Sequence, residues 1–198
     1  MSLSLILTVE LDTLRRTVFY GQLDLSKLLR ANESCDWTTI RTCVGGALEI
    51  LPSSPSLRLV MAQHVLELAH HLATLQHVED SIHYFHIILT IIDAPLPTSS
   101  TYNQQSEQQD EMSMESWQRE VCLIKIKTYL GLGYLHKELN QCEQAIDSIV
   151  KAQKLNTELT ALTSLSESPV SLSNETFTFA TFSIQCRNND VAAAESSL

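Results

Sequence analysis

The clearest indication of the fold is in residues 128–156, TYLGLGYLHKELNQCEQAIDSIVKAQKLN. Apolar residues recur through it at helical spacing, a polar segment follows Lys137, and a second amphipathic run begins near Glu143. This pattern predicts two helices joined by a short turn. Gly131 and Gly133 lie inside the first helix, where a glycine costs about 1 kcal/mol of helix propensity. Because the spacing and the preceding strand of a phosphate-binding loop are missing, we expect Gly133 to serve close helix packing.

The rest of the chain is also predicted to be helical. Of the 198 residues 44% are hydrophobic, and with only five glycines and five prolines the chain lacks the frequent turns of sandwiches and barrels. We therefore predict an all-α fold of stacked antiparallel helix pairs. The expected helices cover 3–31, with Gly21 as a possible interruption, and 37–51, 57–73, 78–93, 117–137, 143–163, 175–186 and 191–198.

One segment differs in composition from its surroundings. Residues 94–118 are rich in Gln, Ser and Glu and poor in aliphatic residues, which predicts a disordered linker or insertion. It separates N-terminal helix pairs in 1–93 from C-terminal pairs in 119–198. The last predicted helix ends at Leu198 after about two turns and has no polar cap, so we expect a fragment of a longer repeat protein.

Charge and cysteine content exclude several functional classes. The net charge is −10 and the thirteen Lys and Arg residues are scattered, so direct nucleic-acid binding is not expected. No apolar run is long enough to span a membrane, and the apolar start lacks the basic region and cleavage site of a signal peptide. Five cysteines without a CxxC pair indicate free thiols and an intracellular protein.

Catalytic signatures are missing from the residue spacing. Since no Ser-His-Asp or Cys-His arrangement is defined, we expect neither enzymatic activity nor a cofactor. His83 and His86 are three residues apart on a predicted helix and could together bind a metal. A metal-binding protein is therefore an alternative, although solvated or half-buried histidines are the interpretation we favour. The six clustered histidines are His64, His70, His71, His77, His83 and His86.

Residues 128–156 resemble the tetratricopeptide repeat, in which two helices cross at small residues. We expect Gly133 to lie against Ala145 at this crossing, while Gly131 has no role in the repeat pattern. Residues 11–51 form a further helix pair without a clear register. The residues that carry the pattern here are Tyr129, Leu132, Gly133, His136, Ala145, Ile149 and Ala152. A second unit uses Ala69, Ser81 and Phe85, and a third uses Phe177, Ala180, Thr181, Ile184 and Ala193.

The resemblance also implies a candidate binding groove, because fixed positions of the first helices line the concave surface of such arrays. Tyr134 between Lys127 and Lys137 suits an acidic or carboxylate-bearing peptide with an aromatic anchor. Packing by the outer surface of the array is the alternative, and the sequence leaves both open. The groove positions are Gln63, Leu66, His70, Ala73, Lys127, Leu130, Tyr134, Lys137, Glu175, Thr178, Phe182 and Gln185.

A second resemblance covers residues 40–198, in pattern more than in identity. The residues that carry it are Ala145, Ile146, Ala152, Ser168, Pro169, Asp190, Ala193 and Ala194. Here the chain is similar to the Spo22/ZIP4/TEX11 meiotic family, whose members are much longer and lack the 94–118 insertion. The resemblance implies a scaffold for crossover and synapsis proteins on chromosome axes, and hence a nuclear location. An adaptor subunit in another complex, such as cohesin loading, is the alternative.

Overall fold

The computed structural model describes residues 3–30, 37–51, 54–95 and 113–163. These ranges contain helices and no strand, so the predicted all-α class is confirmed for the described residues. The six helices are α1 (Leu3–Arg30), α2 (Trp37–Glu49), α3 (Pro55–Thr74), α4 (Val78–Asp93), α5 (Met114–Glu138) and α6 (Cys142–Thr163).

The helix boundaries follow local capping signals. Helix α1 continues through Gly21, and α4 has the predicted bounds. Helix α5 begins at Met114 instead of near Trp117, because the Ser113 hydroxyl accepts a hydrogen bond from the Ser116 N–H at 3.2 Å. The helices predicted at 175–186 and 191–198, and the third repeat unit with them, lie outside the described residues.

The chain divides into two compact units within α3. Among the described residues, the first unit contains α1, α2, α3 as far as Val65, and residues 94–95. The second contains α3 from Leu66 onward, α4, α5 and α6. Most of the predicted linker 94–118 lies outside the described residues, so the predicted segments 1–93, 94–118 and 119–198 stay predictions.

In the first unit, α1 contacts α2. The Gln22 side chain of α1 lies over Gly46 of α2, 3.8 Å from the position that a Cβ would take. Arg58 ties the start of α3 to the segment after α4 by donating from Nη1 to the carbonyl oxygen of Ala94 at 2.8 Å. The buried apolar residues of α1 and α2 are Phe19, Leu23, Ile40, Cys43, Val44 and Ala47.

In the second unit, the α3–α4 and α5–α6 hairpins use the same turn. Gln76 and Asn140, 64 residues apart (140 − 76), both adopt left-handed backbone, with φ of 66° and 59°. Each follows a helix C-terminus whose last carbonyls accept the two bonds of a Schellman motif. In the first hairpin, the N–H groups of Leu75, Gln76, His77 and Ser81 donate in that order to the carbonyl oxygens of His71, Ala73, Leu72 and His77. In the second hairpin, the N–H groups of Leu139, Asn140, Gln141 and Ala145 donate in the same pattern to the carbonyl oxygens of Leu135, Lys137, His136 and Gln141.

The helices of each hairpin meet at small residues. A Cβ added to Gly133 would lie 2.7 Å from Cδ1 of Ile149 and 3.4 Å from the Ala145 carbonyl oxygen, so only glycine fits unchanged. In the other hairpin, the buried Ser81 hydroxyl donates to the Ala69 carbonyl at 2.7 Å. Around the α5–α6 contact lies a core cluster of Ile126, Ala145, Ile149, Ala152 and Leu159.

A second glycine brings α4 and α5 together. A Cβ at Gly131 would lie 2.9 Å from Cε1 and Cε2 of the buried Phe85 ring and closer still to Cζ. Lys125 also forms an ion pair with Asp93, with 2.5 Å between Nζ and Oδ1. Helix α5 thus contacts α6 through Gly133 and α4 through Gly131, which accounts for both glycines of the GLG sequence.

Candidate protein-binding face

One stripe of α5 contains four of the predicted groove positions. Lys127, Leu130, Tyr134 and Lys137 follow each other at intervals of three and four residues, which places them on one side of the helix. Tyr134 is 58% exposed and Lys127 is exposed, whereas Leu130 and Lys137 are half-buried. The buried residues lie on the remaining sides of α5, so the exposed Tyr134 and Lys127 of this stripe can reach a partner.

His70 of α3 belongs to the same neighbourhood. Its pKa is lowered, first by partial burial of the ring and then by the positive charge of Lys127. His70 is therefore neutral near pH 7, and Lys127 supplies the positive charge next to it. We refer to His70, Lys127, Leu130, Tyr134 and Lys137 as the α5 face.

The Phe85 side chain packs against His70 of this face and against Gly131. Its ring meets the His70 ring edge-on, with 5.3 Å between ring centroids and 81° between planes. It also fills the space above Gly131. Sequence reasoning assigned no role to Gly131, although one signal was present: residues i and i+2 do not share a helix face, so a second glycine two residues from Gly133 indicates a second neighbour.

The other predicted groove residues are placed differently. Gln63 is exposed but lies in the first unit, and Leu66 is buried. Ala73 is half-buried near the end of α3. Phe182, with Glu175, Thr178 and Gln185, lies outside the described residues.

Two other histidines affect the protonation of His86 in α4. The pKa of His86 is lowered by partial burial, by His136 and by His83. His136 holds its Nδ1 2.7 Å from Oε1 of Gln141, an arrangement in which the ring donates to the amide oxygen. Within the described ranges, no group of three or more His, Cys, Asp or Glu side chains is placed to bind a metal ion.

A Ser–His pair that the sequence did not reveal lies in the first unit. The Ser26 hydroxyl is 2.5 Å from Nε2 of His64 and donates to the Leu23 carbonyl at 2.9 Å. Since the hydroxyl has one proton, Nε2 is the donor to Ser26, whereas a nucleophilic serine must donate to its histidine. Both side chains are buried, so the pair joins α1 to α3 and is closed to a substrate.

The three thiols of the described residues are unpaired, and one of them has a raised pKa. Cys43, Cys122 and Cys142 are free, and Cys43 is buried. Burial and the negative charge of Glu158 raise the pKa of the Cys122 thiol. A raised pKa lowers the thiolate fraction, so Cys122 is unsuited to nucleophilic chemistry.

None of the helices in the described ranges combines the length and apolar character needed to cross a membrane. Comparison with known proteins found no matching family model, no similar curated protein and no similar solved structure. The function is therefore inferred from the chain itself.

Proposed function

We propose that the protein is a non-catalytic scaffold that binds other proteins through tetratricopeptide-like helix pairs. The observation that carries the proposal is the repetition of one hairpin in the second unit. The same left-handed turn joins α3 to α4 and α5 to α6. The small residues of the repeat pattern recur at the same distances from it, Ala69 and Ser81 in one hairpin and Gly133 and Ala145 in the other.

The distance between the hairpins fits this proposal once the insertion is considered. Tetratricopeptide units repeat every 34 residues. Gln76 and Asn140 are 64 residues apart, and the excess corresponds to the Gln- and Ser-rich segment and the first turns of the long helix α5. An insertion between two units leaves the internal geometry of each hairpin unchanged.

The ligand that suits the α5 face is an acidic peptide. Tyr134 offers an exposed aromatic ring, and Lys127 and Lys137 lie one to two turns on either side. Aromatic residues contribute disproportionately to protein interfaces because they bury much area with few rotatable bonds. In a chain of net charge −10 this local pair of lysines also favours carboxylates over cationic ligands.

A peptide-binding measurement tests this function. Fluorescence polarisation would compare acidic peptides with charge-reversed peptides of the same length, using wild type, Tyr134→Ala and Lys127→Ala. We expect acidic peptides to bind, and the Tyr134→Ala change to weaken binding by about 10-fold or more. Val150→Ala is the matched control, because Val150 is 52% exposed on α6 and lies outside the face.

Two results of the peptide-binding measurement would contradict the assignment of the α5 face. Binding that is the same for acidic and charge-reversed peptides, or that Tyr134→Ala and Val150→Ala weaken equally, would contradict the assignment of the α5 face. Peptide affinity should also fall with added salt, since surface charges are screened at high ionic strength.

The cellular role we propose, a scaffold in meiotic synapsis and crossover formation, is supported by the resemblance of residues 40–198 alone. Affinity purification from meiotic and mitotic cells followed by mass spectrometry tests it. We expect partners that are enriched in meiotic cells and reduced by Tyr134→Ala. Identical partners in both cell types would contradict the meiotic role and would favour an adaptor in another complex, such as cohesin loading.

A further inference from the structure

Helix α1 in the first unit carries an exposed apolar stripe with no role in the hairpins or the α5 face. Exposed fractions along the stripe reach 70% at Leu28. Single exposed apolar residues are common, but a row along one helix forms a contiguous patch that marks an interaction surface. The exposed members of the stripe are Leu11, Leu14, Val18, Leu25 and Leu28.

The spacing of the stripe identifies the kind of partner. With Gly21 included, its members alternate at intervals of three and four residues, which corresponds to the a and d positions of a heptad repeat. Leu7 extends this spacing in the sequence by four residues. A period of 3.5 sustained over about three heptads is typical of a helix that pairs with another helix.

The stripe does not belong to the core side of α1. The buried residues Phe19, Leu23 and Ser26 are centred roughly 130° around the helix axis from the stripe. That side already has its contacts, because α1 meets α2 and Ser26 is hydrogen-bonded to His64 of α3. The helix is therefore anchored on one side and presents the heptad positions on the other.

Charges beside the stripe favour a second copy of the chain as the partner. When Leu11, Val18 and Leu25 take position a of the heptad, Glu10 is at g and Arg15 is at the following e. Both charged side chains are exposed. In a parallel pair in register, g of one helix faces e of the other, so Glu10 meets the partner's Arg15 twice by symmetry. An antiparallel pair brings g to g and e to e, where Glu10, Asp24 and Arg15 find no opposite charge.

We propose that α1 pairs with α1 of a second copy as a parallel, in-register, two-stranded coiled coil. Leu11–Leu28 would form its seam over about 26 Å, at 1.5 Å per residue. Gly21 occupies one d position and supplies no knob to fill the opposing hole, which makes the dimer reversible instead of permanent. This inference is independent of the proposed function, because the α5 face lies in the second unit.

Two variants of equal exposure test the pairing. Val18 and Tyr20 are both 44% exposed on α1, but Val18 is at an a position and Tyr20 at c, outside the seam. Sedimentation equilibrium of the full chain should show a concentration-dependent dimer. Val18→Glu should raise the dissociation constant at least ~100-fold, because it buries a carboxylate in the seam, and Tyr20→Glu should change it less than about twofold. Far-UV circular dichroism verifies that both variants keep their helical content.

A charge exchange tests the orientation. Glu10→Arg and Arg15→Glu should each weaken the dimer about 10-fold at low salt, since each replaces two attractions by two repulsions. The double variant Glu10→Arg/Arg15→Glu should restore the wild-type dissociation constant. A wild type that is monomeric at all concentrations, or equal effects of Val18→Glu and Tyr20→Glu, would overturn the pairing. Failure of the double variant to restore dimerisation would overturn the parallel register.

Discussion

The α3–α4 and α5–α6 hairpins have the same backbone turn but different residues at the point where their helices meet. Gly133 in α5 lets Ile149 and the Ala145 carbonyl approach directly. At the equivalent place in α3, Ala69 instead accepts a hydrogen bond from the Ser81 hydroxyl. One hairpin thus holds its helices by close packing and the other by a buried hydrogen bond. The comparison shows that the two hairpins share the register of the turn, while each contact has its own chemistry.

The largest predicted effect comes from filling the close contact in the second hairpin. Gly133→Leu places side-chain atoms where Ile149 and the Ala145 backbone lie, and overpacking of this kind costs about 3 kcal/mol or more when backbone has to move. Thermal or urea unfolding would measure the loss. Val150→Leu, at an exposed position of the neighbouring helix, should leave the free energy of unfolding within about 0.5 kcal/mol. Unchanged stability of Gly133→Leu would contradict the helix contact.

Removing the hydrogen bond of the first hairpin should have a smaller effect. Ser81→Ala should lower the free energy of unfolding by about 1 kcal/mol, since a buried donor between two helices is lost. Ser148→Ala is the matched control: its hydroxyl donates to the Gln144 carbonyl of its own helix, so the better helix propensity of alanine offsets the loss. Equal urea midpoints for the two variants would show that the Ser81 bond does not join the helices.

Glycine substitutions in the two turns should stabilise the protein instead of destabilising it. Gln76 and Asn140 adopt left-handed backbone, which disfavours most side chains but not glycine. Gln76→Gly should therefore raise the free energy of unfolding by about 1 kcal/mol. Asn140→Gly should raise it by about half as much, because asparagine tolerates this conformation better than glutamine does. Destabilisation by both changes in differential scanning calorimetry would exclude the shared turn.

Acidification should produce the smallest of the predicted changes in stability. Both His70 and His86 have a pKa below the ordinary 6.5 in the folded protein. The unfolded chain binds these protons first, so stability is greatest above pH 6.5 and falls as the pH drops through 6.5 toward the folded pKa values. Urea midpoints at about pH 7.5 and about pH 5.5 should differ less in His70→Gln/His86→Gln than in wild type. An identical pH dependence of the two proteins would contradict the lowered pKa values.

Local patterns in the sequence were sufficient to predict the six helices of the described residues to within a few residues, because apolar spacing and caps are local signals. The bounds of α4 are of this kind, whereas the proximity of Gly133 to Ala145 was expected from the resemblance to the tetratricopeptide repeat. Contacts across helices needed the structure. The Ser26–His64 pair joins residues whose separation in sequence indicates nothing about their distance, and Gly131 faces Phe85 on a helix that precedes the insertion.

The central claim, that the two hairpins are copies of one repeat unit, can be tested by exchanging their turns. Residues 75–80 and 139–144 each contain one left-handed residue at the second place. Swapping the two segments should leave the free energy of unfolding within about 1 kcal/mol, or a melting temperature within about 4 °C, of wild type. The same exchange displaced by one residue moves glutamine or asparagine out of the left-handed position and should cost about 2 kcal/mol or more per turn. Equal destabilisation by the matched and the displaced exchange would contradict the claim.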